Sequence, residues 1–173
     1  MAGKILVTYA SAKGSTHEIA DRITSRLQAL HPVVECQPIA DVEASSLSSY
    51  TAIIVGSAIH MSSWLPQANS FIRSKTATLQ TKPVWAFSVG MPPDEAGRVS
   101  EEKMIEAKIR KHVPGLKGHR LFRGKFEEKD LGWFMRTIIS CCVPKEKKIY
   151  GDERNWNDIE AWADAVGKEI RDA

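Results

Sequence analysis

Short apolar runs of strand-forming residues punctuate this chain at residues 5–9, 33–37, 52–56, 84–88 and 119–125. Between them lie segments that can hold helices or crossovers, which parallel strands need. Five such strands alternating with helices specify an open, doubly wound parallel sheet of the α/β class, not a sandwich or a bundle. The helical segments agree. Ile19, Ile23, Leu27 and Leu30 recur at spacings of four, four and three, on one face of a helix. Ser15-Thr16-His17-Glu18 has capping-box spacing at its start, and His31-Pro32 supplies its stop. Residues 66–73 read as a helix entered through Pro66, and residues 100–111 as another with Met104, Ile105 and Ile109 inward. Ile159, Trp162, Ala163, Val166 and Ile170 form the buried stripe of a last helix.

The 173 residues suffice for one domain with its own core, and no repeat, low-complexity segment or linker divides them. With 43% apolar and 26% charged residues, the chain is neither disordered nor collagen-like. Twenty-four Lys and Arg against 21 Asp and Glu leave a net charge of +3, too weak an excess to point to nucleic acid. It suits an anionic ligand or an acidic membrane surface, or merely a solvated face. Cys36, Cys141 and Cys142 show no CxxC spacing, so neither a disulfide framework nor a zinc site is indicated, and a cytoplasmic location is expected. Residues 44–72 lack Asp, Glu, Lys and Arg, but Gly56, Pro66 and many serines interrupt them, unlike the roughly 20 apolar residues of a membrane span.

Open α/β sheets bind ligands at the carboxyl ends of their strands, which places the chemistry in the loops beginning at Ala10, Ser57 and Val89. Ser11, Ala12, Lys13, Gly14, Ser15 and Thr16 join the first strand to the first helix. A helix N-terminus offers free N–H donors and a partial positive charge, the hydroxyls add donors, and Gly14 can take a positive φ. Two readings stand: a phosphate nest, or a helix cap at Ser15 that binds nothing. The loop has neither GxGxxG nor GxxxxGK[ST], and no carboxylate ends the first or third strand to hold a cation. A ligand with one terminal phosphate, held without metal, is left.

The run TYASAKGSTHEIA, residues 8–20, resembles the opening of the flavodoxin family, with Ser15 where the familiar loop has Asn. LFRGKFEEKDLGWFMRTIISCC, residues 121–142, and DERNWNDIEAWADAV, residues 152–166, resemble the flavodoxin-domain branch that includes menaquinone-dependent protoporphyrinogen IX dehydrogenase. The similarity covers most of the chain, with residues 89–118 only loosely comparable. It implies a flavodoxin-like five-stranded sheet of order 2-1-3-4-5, a single FMN-binding domain over residues 1–173, and the FMN phosphate on residues 11–16.

By the same resemblance two further loops flank the isoalloxazine: Ser57, Ala58, Ile59, His60, Met61 and Trp64 after the third strand, and Ser88, Val89, Gly90 and Met91 after the fourth. Met61 and Trp64 are candidates to cover the ring, although Trp64 also suits an ordinary core. His60 could donate to flavin or substrate, or simply face solvent. Pro92-Pro93 either stiffens the wall or turns the chain into the next helix. The third loop has no tyrosine to stack on the ring, which favours an enzyme over a carrier.

The activity implied is that of a cytoplasmic FMN-dependent oxidoreductase, oxidising protoporphyrinogen IX with a quinone as acceptor. The alternative is an electron carrier between protein partners. Leu131, Phe134, Met135, Ile138, Ile139 and Cys142 fall at helical spacing, followed by Lys145, Lys147 and Lys148. That segment either packs on the sheet or docks on the inner face of a membrane near a quinone.

Overall fold

The computed structural model describes residues 3–127 and 151–172. The elements are β1 (Ile5–Ala10), α1 (Ser15–Gln28), β2 (Val34–Pro38), β3 (Ala52–His60), β4 (Ser63–Trp64), α2 (Pro66–Ser74), α3 (Thr76–Leu79), β5 (Val84–Gly90), α4 (Glu95–Arg110), β6 (Gly118–Arg123), β7 (Lys125–Phe126), β8 (Gly151–Asp152) and α5 (Trp156–Arg171). The five long strands are parallel and lie in the order β2-β1-β3-β5-β6. Counted without the two-residue β4, which pairs antiparallel with β3, this is the expected 2-1-3-4-5 arrangement. Helices cover both faces, so β1 is buried at all six positions and reads as a continuous apolar run instead of an alternating one.

Alternate residues feed two cores. Leu6, Ile53, Val55 and Ala86 face α2 and α4 through Phe71, Ile72, Ile105 and Ile109. Ile5, Val7, Ile54 and Phe87 face α1 and α5 through Ile19, Ile23, Leu27, Ile159 and Ala163. Each fully buried aliphatic side chain contributes about 1.5–3 kcal/mol. Gly56 is required by this packing: a Cβ there would stand 2.0 Å from Cζ of Phe87. Across the second core, Arg22 and Arg26 of α1 pair with Glu160 and Asp164 of α5.

Several boundaries differ from the sequence reading. β3 runs four residues past Gly56, because its end is held by the hairpin to β4. α4 begins at Glu95 instead of residue 100: Asp94 caps it, its carboxylate accepting the Gly97 N–H at 2.7 Å. Met104 is 40% exposed and lies off the inward face of Ile105 and Ile109. Leu30 follows the end of α1, and Trp162 and Ile170 are only partly buried. The expected fifth strand divides at Gly124, where β7 leaves to pair with β8. Cys141, Cys142, the amphipathic segment 131–142 and Lys145, Lys147 and Lys148 lie outside the described residues.

Candidate functional site

The chain runs from β1 to β2 on one side and returns to β3 on the other, so the strand order reverses between β1 and β3. Loops at that switch point diverge and leave a crevice. A cavity of about 520 Å³ opens there, within the range of about 300–1,000 Å³ common to small-molecule sites.

Ala12, Lys13, Ser15 and Thr16 of the first loop line one end. Gly14 occupies the left-handed region at φ 93° and turns the chain into α1, while its N–H donates to Ser11 Oγ at 3.0 Å. Helix geometry leaves the N–H groups of Ser15, Thr16 and His17 without intrahelical acceptors; Glu18 N–H is the first to find one, on Gly14 O at 3.0 Å. The capping box does not form. Gly14 is the N-cap and makes no side-chain cap, and Ser15 Oγ instead accepts the N–H of Lys125 at 3.0 Å.

Ala58, Ile59 and His60 at the end of β3, with Val89, Gly90 and Met91 at the end of β5, build the apolar walls. Gly90 lets those walls close: a Cβ on it would lie 3.2 Å from Ile59 Cδ1. Four expected contributors, Ser57, Met61, Trp64 and Ser88, sit elsewhere. Trp64 is 3% exposed, and its Nε1–H donates to the buried Ser88 Oγ at 2.7 Å, so both belong to the core beneath the site. Ser57 is also buried; it accepts the Leu65 N–H and donates to Ala58 O, bracing the β3–β4 hairpin. Met61 is 87% exposed at the tip of that hairpin, where it and Ser62 take φ values of 50° and 55°. The ring-covering roles expected of Met61 and Trp64 therefore have no support in this cavity's lining. Ser11 and Gly14 shape the first loop without lining the cavity.

Ser88 also lies 2.7 Å from Nε2 of His119 on β6. Burial pushes the His119 imidazole down to about 4, so it is neutral at pH 7. The Trp64–Ser88–His119 chain ties the carboxyl half of β5 to β4 and to the amino end of β6.

A fourth wall, Gly124, Lys125 and Phe126, escaped the sequence reading, as did Leu65. Gly124 packs so tightly that a Cβ would meet Val89 Cγ1 at 2.9 Å and Ser15 Oγ at 3.3 Å, and its N–H donates to Gly90 O at 2.9 Å. Arg154, between β8 and α5, braces this wall: it pairs with Asp152 and with Glu18 of α1, and stacks 4.6 Å from the Trp156 ring. Those bonds hold its guanidinium well above the usual arginine range.

Among the described residues no carboxylate lines the cavity, whereas Lys13 and Lys125 do, and Lys125 is ion-paired with Glu127. Among the described residues no group of His, Cys, Asp and Glu is placed to hold a metal ion. One end therefore offers amide and hydroxyl donors at a helix start; the other offers Ile59, Leu65, Val89, Met91 and Phe126. That arrangement suits a ligand with an anionic tail and a flat apolar body.

Comparisons with known proteins agree with this fold. "Probable flavodoxin 1" of Bacillus subtilis (strain 168) is 42% identical over 53 residues, and the match spans about a third of each protein, 31% of this chain and 34% of the relative. A flavodoxin structure from the domain Archaea superposes with a TM-score of 0.62 at 18% identity, covering 97% of this chain and 99% of that one. Rubredoxin oxygen:oxidoreductase of Desulfovibrio gigas superposes with a TM-score of 0.65 at 16% identity, over 97% of this chain and 36% of that one. These identities establish a shared fold. The family described as "Flavodoxin domain" matches residues 6–151, most of the 173, and the chain belongs to that family.

Proposed function

We propose that the chain is an FMN-dependent oxidoreductase acting as one flavodoxin-like domain over residues 1–173. Flavodoxin-domain proteins bind FMN. The observation that carries the reading is the two-ended cavity, with donors at a helix start on one side and apolar walls on the other. Its residues fit that cofactor. Gly14 orients the first-loop amides, Ser15 and Thr16 add hydroxyls, and Lys13 raises the local potential for a phosphate. Ala58, Ile59, Val89 and Gly90 would flank the ring and exclude water from its faces, with backbone groups at their strand ends contacting its polar edge. FMN, when bound, accepts and releases electrons one or two at a time.

The finer reading is oxidation of protoporphyrinogen IX with a quinone as acceptor, in the cytoplasm and in peripheral contact with the membrane's inner face. It is supported by the likeness of residues 121–142 and 152–166 and by a cavity lined, among the described residues, by no tyrosine or tryptophan to cap a ring. Among the described residues no helix is long and apolar enough to cross a membrane. A second reading is an electron carrier between protein partners, favoured by the 42% identity to a probable flavodoxin. The absorption spectrum of purified protein tests FMN binding; mixing the loaded protein with protoporphyrinogen IX and menaquinone separates the two readings. Turnover above that of free FMN is expected, and its absence rejects the enzyme reading in favour of the carrier.

A further inference from the structure

A second depression, of about 610 Å³, adjoins the first and shares His60 with it. Trp64 is its one buried lining residue among those described, and Asn69 beside it is held by its Nδ2–H bond to Trp64 O at 2.8 Å. Around it stand Arg73 on α2, Lys108 on α4, and Lys111 and His112 just beyond α4. Among the described residues no carboxylate lines it.

The ion pairing of this protein makes that cluster unusual. Arg22, Arg26, Arg98, Arg110, Arg120, Arg123, Arg154 and Arg171 each pair with a carboxylate. Arg73 is the described arginine that makes no ion pair with a described residue, and it lines this groove. Lys108 donates to Ser62 O at 2.8 Å, which holds the β3–β4 hairpin, and makes no ion pair with a described residue. Cations converging on a concave surface without counter-charges focus a positive potential there. The concavity favours a small molecule over a protein, whose docking faces are broader and have an apolar centre.

We propose that this groove seats the carboxylate arms of a small organic polycarboxylate, the redox substrate, while its uncharged part reaches past His60 to the mouth of the first cavity. That the anion is the substrate rests on the function proposed above; that the groove binds it does not.

The test is a titration of the ¹⁵N-labelled full chain with propane-1,2,3-tricarboxylate, read from backbone amide shifts. Saturable shifts at residues 60–64, 69–73 and 108–112 are expected. R73E/K111E, which spares the Lys108 bond, weakens binding by about tenfold or more, since each reversal replaces an attraction by a repulsion near the surface. K117E/K168E changes the formal charge equally but on residues outside the groove, and changes affinity by less than about twofold. Equal losses in both variants, shifts scattered over the surface, or no saturation overturn the groove as a site. R73E/K111E keeps its FMN affinity, because neither residue lines the first cavity. Protein that binds the tricarboxylate but not FMN thus rejects the function proposed above and retains the groove. With protoporphyrinogen IX, a dicarboxylate, R73E/K111E raises KM and leaves kcat; an unchanged KM overturns the assignment of the anion as substrate.

Discussion

Replacing Gly14 by alanine isolates what the first loop's backbone contributes. A Cβ at Gly14 meets nothing within 4 Å, so the substitution causes no clash and removes no contact. What remains is conformational: φ of 93° with ψ of −25° is a region where an L-residue is disfavoured by about 1–2 kcal/mol. That strain has two outlets. If the loop stays in place, unfolding in urea registers a loss of about 1–2 kcal/mol and FMN affinity is preserved. If the loop relaxes toward negative φ, stability recovers, but the Ser15 and Thr16 amides turn away and the FMN dissociation constant rises about 5–30-fold. The two losses sum to the same strain. Flavin fluorescence quenching and urea melts on one preparation measure both. Gly115→Ala is the control, since its Cβ also has open space and its φ is not positive. A Gly14→Ala protein with affinity within twofold and stability within about 0.3 kcal/mol of the parent refutes the argument that the left-handed turn builds the site.

Two further outcomes follow from the elements around the cavity. Because His119 is held down to about 4 from an ordinary value of 6.5, the unfolded chain binds a proton in that window that the folded chain does not. Its contribution, roughly 3 kcal/mol, is present above pH 6.5 and is lost as pH falls through about 4; His119→Gln should flatten that limb in urea melts at pH 7, 5.5 and 4.5. The M61N/S62G variant places the residues that favour positive φ at the hairpin tip and should raise stability by about 1 kcal/mol, with FMN affinity unchanged because neither side chain lines the first cavity.

The sheet was legible because its long strands are buried on both faces and announce themselves as unbroken apolar runs. The first loop was legible too, since Gly14 and its hydroxyl neighbours are contiguous with a strand end and a helix start. What escaped depends on distant partners. Ser15 looks like a cap from its neighbours alone, and only the approach of Lys125 redirects its hydroxyl. Trp64 has the composition of a ring cover, but Ser88 lies within its reach in the core and claims its N–H. The β3–β4 turn gave no sign because Met61 and Ser62 stand where Asn and Gly ordinarily announce such a hairpin. Asp94 before Gly97 was a readable cap that the adjacent prolines disguised as a plain turn.

The bond from Lys125 to Ser15 joins residues 110 positions apart, so the pocket cannot be finished before residue 125 has been made. At about 5–20 residues per second, ribosomes take roughly 5–20 s to travel from one to the other. Throughout that interval the opening loop is displayed without its fourth wall, and Arg154, which steadies that wall, emerges later still. A pocket closed on all four sides is consequently not available until residue 125 has emerged, a delay set by how fast residues 16–125 are translated.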